Sequence, residues 1–308
     1  MSTVPTSDPM QAFRDAERAA FARYGVTVAE RVLDLGGPTV RVLESGDGPP
    51  VLLVPGDGAV AGAWAPLMAE LRGHRAIVLD RPGAGLSGPF DRRAGDLRTQ
   101  AVALVTASLD ALGLERAPVV GSSGGAAWAL WTAIEAPERV TAIASLGMPG
   151  VCLPGVRPLP PMRMLSVPGL GQLLARIPAP SPDATGRMLA KTDARLLDHP
   201  EIVALYHAAG RLPRYPRSVA DLFQASMRPG GRPRAACVIG DDELRTLAAP
   251  VLFIFGADEP LGGPQVVRRA ADLMPHARVD VVPGAWHHPW LADAPAVARL
   301  VTDLVPNP

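Results

Sequence analysis

Three short stretches of this 308-residue chain hold residue types able to activate a hydroxyl nucleophile. The first is Gly121-Ser122-Ser123-Gly124-Gly125, a G-x-S-x-G pattern centred on Ser123. It follows a short apolar run, VV, and opens an apolar stretch, AAWALW, which is the strand–turn–helix setting that exposes a serine on a strained turn. Flanking glycines suit such a turn, because side chains there would meet the neighbouring strand and helix. A serine needs a base, and the base needs an orienting group. Of the six histidines, His74 and His276 precede strand-like runs, and His199 and His207 lie in a helical region. His287 and His288 instead follow the run RVDVV through Pro283-Gly284-Ala285-Trp286. That puts them beyond the carboxyl end of a strand, where open α/β sheets build their sites. The acid is expected in the same setting. After VLFIF comes Gly256-Ala257-Asp258-Glu259-Pro260, which offers two adjacent carboxylates.

The elements that must position these groups are legible as alternating patterns. A helix is expected over Gln11–Tyr24 behind a polar lead, then a hairpin of Arg31–Leu35 and Thr39–Leu43 around Gly36-Gly37-Pro38. Continuous apolar runs at Val51–Pro55, Arg75–Asp80, Pro118–Gly121 and Val140–Leu146 then alternate with helical stretches at Ala65–Leu71, Leu97–Leu112 and Gly124–Glu135. Such runs read as parallel strands covered on both faces by helices. The alternation stops over residues 148–249, which are rich in Pro, Arg and Met, with helical patches at Ala184–Leu197, Ile202–Ala209 and Val219–Met227 and loop with short helices over Pro149–Pro182. It resumes with a strand at Val251–Phe255, a helix at Gln265–Met274, a strand at Arg278–Val282 and a helix at Ala294–Leu304. The expected organisation is an α/β core of residues 1–147 and 250–308, interrupted by a helical insertion over 148–249.

Composition excludes several classes. Thirty basic residues balance thirty acidic ones, so no general nucleic-acid partner or polybasic membrane contact is expected. No run of 18 apolar residues occurs, and the N-terminal sequence has no basic and apolar leader pattern, so a cytoplasmic location without a membrane partner is the expectation. Cys152 and Cys237 are too few and too far apart for a disulfide scaffold or a C-x-x-C site. Neither G-x-G-x-x-G nor G-x-x-x-x-G-K-[ST] accompanies the serine. No cofactor or metal is expected, the partner is a small-molecule substrate, and a homodimer is left open.

Taken together, VLLVPGDGAVAGAW, AIVLDRPGAGLSG, VVGSSGGAAWAL, PVLFIFGADEPLG and VVPGAWHHPWLAD resemble the α/β-hydrolase superfamily, specifically its capped serine hydrolases, from Val32 to Leu304. The resemblance implies the α/β-hydrolase fold, with a mostly parallel central sheet, helices on both faces and a helical cap, or lid, over 148–249. It implies Ser123 as nucleophile and His287 as base. It places Glu259 in the acid position, three residues after Gly256, with Asp258 as the fallback. Asp80, in the DRPGAGLS turn, is usually structural in this family. The oxyanion hole falls to the main-chain N–H groups of Asp57 and Gly124, and His288, Trp286 and Gly58 are assigned to substrate binding. The sequence departs from the pattern at Pro55 and Asp57. A carboxylate about 4 Å from a developing oxyanion opposes it by roughly 4 kcal/mol at an effective dielectric near 20. Asp57 is therefore expected to point away, pair with an arginine, be protonated, or act on substrate.

The leading function is hydrolysis of a carboxylic ester or lactone of a small, largely apolar substrate through a Ser–His–Glu triad and an acyl-enzyme. One alternative is a carbon–carbon bond hydrolase acting on a dienone or β-diketone acid. Another is a non-hydrolytic ligand-binding protein, lyase or cyclase on the same scaffold. Serine rather than aspartate at the nucleophile position argues against epoxide-hydrolase and haloalkane-dehalogenase mechanisms. In the insertion, Arg211, Arg214 and Arg217 are read as a solvated face that could alternatively bind an anionic substrate group. Trp64, Trp128 and Trp290 are expected in the core.

Overall fold

A computed structural model describes residues 8–89 and 95–305; residues 1–7 of the expected polar lead and the last three residues lie outside them. Among the described residues eight strands form one sheet: β1 (Ala29–Asp34), β2 (Thr39–Ser45), β3 (Pro50–Val54), β4 (Arg75–Leu79), β5 (Ala117–Ser122), β6 (Val140–Leu146), β7 (Val251–Gly256) and β8 (Ala277–Val282). Their order is β1-β2-β4-β3-β5-β6-β7-β8. β1, β2 and β4 are paired antiparallel, and every pair from β4 to β8 is parallel. The parallel strands are the continuous apolar runs of the sequence. β7 is buried along its whole length because helices cover both of its faces, while the edge strand β1 is mostly exposed and the other edge, β8, mostly half-buried.

Among the described residues thirteen α-helices surround the sheet. Those outside the insertion are α1 (Pro9–Arg23), α2 (Ala65–Glu70), α3 (Leu97–Ala111), α4 (Gly124–Glu135), α11 (Gln265–Ala271), α12 (Pro289–Ala292) and α13 (Ala294–Leu304). Between β6 and β7 lie α5 (Pro160–Leu165), α6 (Leu170–Ala175), α7 (Pro182–Leu189), α8 (Pro200–Ala209), α9 (Tyr215–Ser226) and α10 (Asp241–Thr246). The period-2 alternation of strands sorts the core into two layers. Leu52, Val54, Ile77 and Phe253 face α3, α4 and α11, whereas Val51, Leu53, Val78 and Leu252 face α2 and α13. Among the described residues no strand interrupts the insertion, which contributes one isolated bridge, Met227 to Pro233. Its ends are sunk in the sheet's own apolar cluster through Cys152, Leu153, Ile239 and Leu244. No helix of the described residues is long and apolar enough to cross a membrane.

The helix expected over Ala184–Leu197 is two pieces. α7 stops at Leu189, and a short 3-10 turn covers Ala194–Asp198. The break falls at Thr192-Asp193, where the Asp193 side chain accepts from the Arg195 amide and caps the new turn.

The N-terminal helix has a role that its amphipathic pattern did not reveal. Phe13 and Ala20 of α1 pack with Leu205, Ala208 and Ala209 of α8, so α1 joins the core to the insertion. Its Glu17 is buried against Arg41 of β2, which also pairs with Asp80 at 2.9 Å and Glu30 at 3.2 Å. Asp80 accepts further bonds from the amides of Ala61 and Leu86, in keeping with a structural role. Burial pushes Glu17 up to about 6, against the opposing pull of Arg41. Arg41→Met should strand two buried carboxylates and cost about 3–5 kcal/mol in urea unfolding at pH 8. Burial already raises Glu17 against the pull of Arg41, so without the cation it should rise further, and the loss should shrink at pH 5, where Glu17 binds a proton. A loss equal at both pH values would contradict this account.

Candidate active site

The sheet order reverses between β3 and β5, the crevice where open α/β sheets bind ligands. Every segment of the candidate site follows a strand at that carboxyl edge. Asp57 follows β3, Arg81 follows β4, Ser123 follows β5, Met148 follows β6, Glu259 follows β7 and His287 follows β8.

Ser123 is the only non-glycine residue with positive φ among the described residues, at φ 50° and ψ −123°. That conformation costs about 1–3 kcal/mol and persists because its surroundings leave no alternative. A Cβ on Gly121 would lie 2.5 Å from Ala126 Cα, and one on Gly125 would lie 2.0 Å from the Val54 carbonyl oxygen. The two glycines thus let helix α4 start against the backbone of β3 and β5. The Ser123 amide donates to Leu146 O at 3.2 Å, and the residue is 9% exposed.

His287, 3% exposed, is bonded through Nδ1 to Glu259 Oε2 at 2.8 Å and Oε1 at 3.0 Å. Glu259 is fixed in turn by the amides of Met148 (3.0 Å, to Oε2) and Leu261 (3.1 Å, to Oε1). Asp258 is exposed and engages Ala285 O through its own amide, so of the two adjacent acids Glu259 is the one on the histidine. Among the described residues Ser123 Oγ and His287 Nε2 have no hydrogen-bond partner, and apo geometry of this kind commonly tightens only around substrate. The Asp57 and Gly124 amides also have no acceptor among the described residues.

Burial disfavours the imidazolium, but the charge and hydrogen bond of Glu259, helped by Asp193 and Asp57, hold His287 above its ordinary 6.5. Burial also works to raise Glu259. The His287 charge and hydrogen bond, with the two amides, bring it below its ordinary 4.5. The His287 share of stability is therefore complete below 6.5 and lost as pH rises through its raised value. The Glu259 share is complete above 4.5 and lost as pH falls through its lowered value.

Asp57 takes the second of the outcomes left open for it: Arg81 Nη1 donates to its Oδ1 at 3.0 Å. Arg81 is 1% exposed, also donates to the Gly56 carbonyl, and lies 4.7 Å over the Trp128 ring. The guanidinium offsets the charge that would otherwise oppose an oxyanion. Asp57 lies against the elbow, with its carboxylate oxygens 2.3 and 2.6 Å from where a Gly124 Cβ would be.

The residues assigned to substrate binding have different surroundings. Gly58 lies beneath α9, where Tyr215 Oη donates to its carbonyl and Val219 faces its Cα. Trp286 is half-buried, and its carbonyl packs on Gly256. His288 is committed to the insertion. Its amide and Nδ1 meet Asp193 Oδ2 at 2.7 and 3.0 Å, and its ring lies edge-on to Trp290. Its free ring nitrogen, Nε2, is what remains for a ligand. Trp64, Trp128 and Trp290 are core residues, the first and last stacked at 4.9 Å. Arg211, Arg214 and Arg217 are exposed, with Arg211 on the Ala179 carbonyl and Arg217 near Asp221.

Sequence reasoning missed Arg81 and Asp193. Arg81 was within reach, since it directly follows Asp80 at a site-bearing strand end and Asp57 called for a cation. Asp193, fully buried, carries no local signal because its partner is 95 residues away. Among the described residues no three His, Cys, Asp or Glu side chains group as metal ligands.

A serine on a strained strand-to-helix turn and a histidine held by a buried acid, at the carboxyl edge of this sheet, are the arrangement of an α/β-hydrolase fold. The family model for the alpha/beta hydrolase fold matches residues 49–293, and the chain belongs to that family. It is 34% identical over 134 residues to a 2-hydroxy-6-oxo-6-phenylhexa-2,4-dienoate hydrolase of Comamonas testosteroni, a match covering 41% of this chain and 46% of that protein. A hydrolase of the same name from Burkholderia cepacia is 27% identical over 291 residues, 92% of this chain and 96% of that one. Among solved structures, carboxylesterase CesB (YbfK) of Bacillus subtilis superposes with a TM-score of 0.76 at 21% identity, covering 95% of this chain and 96% of that chain, a likeness of fold.

The ring of His287, followed by NMR, should titrate above 6.5 in the wild type. It should titrate lower in Glu259→Gln and, by a smaller step, in Asp193→Asn. A wild-type midpoint below 6.5 would show that burial outweighs the carboxylates.

Proposed function

We propose that the protein hydrolyses carboxylic esters or lactones of small substrates through an acyl-enzyme on Ser123. The observation that carries this reading is the buried Glu259–His287 pair beside a serine on a strained elbow. His287 Nε2 takes the Ser123 proton as Oγ attacks the carbonyl carbon. The oxyanion accepts from the amides of Asp57 and Gly124, each such donor being worth about 3–4 kcal/mol in comparable sites. Protonated His287 gives its proton to the departing alcohol. It then deprotonates water, which attacks the acyl carbon and releases the acid and Ser123. Glu259 holds the imidazole tautomer and steadies the imidazolium. Every step uses side chains and amides of this chain, with residues 148–249 proposed as the cap that closes over it.

The dienoate hydrolases named above support a second reading, carbon–carbon bond cleavage on the same triad. Their substrates are carboxylates. Among the described residues, the arginine at the elbow is already paired with Asp57, and Asp57, Asp193 and Glu259 all bear on the histidine. That charge balance favours a neutral ester over a dienoate anion.

A fluorophosphonate probe should label Ser123, located by peptide mass spectrometry, and p-nitrophenyl esters should turn over. Ser123→Ala should abolish both, and His287→Ala should lower kcat by about 10³–10⁶-fold. Labelling of Ser123 with turnover of a 2-hydroxy-6-oxo-dienoate but of no ester would favour the second reading. Absence of an adduct in folded protein would reject both.

A further inference from the structure

The Asp57 carboxylate has one oxygen engaged and one available. Oδ1 accepts from Arg81, whereas Oδ2 has no partner among the described residues. The side chain is 14% exposed, although the guanidinium behind it is sealed. The carboxylate is seated on Gly124 Cα, beside the amide proposed above as an oxyanion donor. The next residue, Gly58, is held under α9 by Tyr215. Asp57 thus lies against the first residue of α4, next to the serine, and near enough to His287 for its charge to act on the ring.

An anchoring role for Arg81 needs only Oδ1. A free carboxylate oxygen near a reacting carbonyl repels anions and attracts hydrogen-bond donors. We propose that Asp57 Oδ2 is a specificity determinant that accepts a hydrogen bond from a hydroxyl or ammonium group on the carbon next to the scissile carbonyl. The preferred substrates are then esters of 2-hydroxy or 2-amino acids. The acyl side is favoured by connectivity. The leaving-group oxygen turns toward His287 and carries no donor, whereas a 2-hydroxyl can lie beside the carbonyl oxygen and so beside Asp57. Arg81 makes this compatible with catalysis, because it balances the carboxylate charge while leaving Oδ2 open. The inference rests on the ester-hydrolase reading.

The test compares aryl esters of 2-hydroxypropanoate, 2-aminopropanoate and propanoate on wild type, Asp57→Asn and Asp57→Ala, each checked for folding by thermal denaturation. In the wild type, kcat/KM should favour the 2-hydroxy and 2-amino esters over propanoate by about 10- to 100-fold, the range of one hydrogen bond to a charged group. Asp57→Ala should remove both preferences. Asp57→Asn keeps an acceptor without the charge, so it should retain part of the hydroxyl preference and lose the ammonium preference. A purely structural role would lower all three esters equally, and that result, or a wild type without preference, would overturn the proposal. A second measurement separates it from the hydrolytic reading. Binding of the anilides of 2-hydroxypropanoate and propanoate to Ser123→Ala, with and without Asp57→Ala, requires no turnover. If no ester is hydrolysed, the ester reading fails by itself. An Asp57-dependent difference between the anilides would then still support the inference, and equal binding would reject it.

Discussion

The backbone of Ser123 is the constraint on which the rest of the site depends. Held at φ 50°, it turns the chain from the end of β5 into α4 within one residue. The turn closes only because Gly121 and Gly125 let the helix start in contact with the neighbouring backbones. Its consequences are chemical. The serine Oγ stands off the sheet, the Gly124 amide is left at the first turn of a twelve-residue helix, and Gly124 offers the space that Asp57 occupies. A helix N-terminus favours negative charge, so the turn that lifts the proposed nucleophile also supplies the proposed place for a developing oxyanion.

Around that turn the electrostatics are arranged in pairs. Glu259 is buried, yet two amides and a histidine ring make its charge tolerable, and the same charge makes the histidine more basic. Arg81 does for Asp57 what the His287 N–H and two amides do for Glu259: each gives its carboxylate hydrogen-bond donors, so neither acid is left without a partner. The two pairs differ in what they leave open. Both Glu259 oxygens are engaged, which suits an orienting role, whereas Asp57 keeps one oxygen free.

The insertion is tied to the core at points close to the chemistry. Asp193 grips the residue after His287, Tyr215 grips the residue after Asp57, and α1 clasps α8 from outside. Movement of the insertion would therefore reach both His287 and Asp57. His199 of the insertion is similarly joined to Tyr24 of the α1 C-terminus and to the Leu291 carbonyl beyond the histidine loop.

Much of this was legible along the chain because its signals are local. Val140–Leu146 and Gly124–Glu135 form the elements their patterns predict, since a doubly covered strand is a continuous apolar run and a nucleophile turn needs its glycines in fixed places. Ser123 and His287 could be named from motifs at strand ends, the acid could be narrowed to Asp258 or Glu259, and the departure at Asp57 showed that a cation was one of its possible partners. The sequence could not choose among those outcomes, nor between Glu259 and Asp258. These depend on which side chain faces inward once β7 and β8 are paired and the crevice is closed. Asp193 and the clasp of α1 on α8 were out of reach for the same reason: they join segments 95 or more residues apart with no shared periodicity. By itself, then, the sequence determined the order of elements and the types of group at the strand ends, because backbone sterics and apolar alternation act over a few residues. Only the tertiary structure decided which charges meet and which polar atoms stay free, because those follow from burial and distance across the fold.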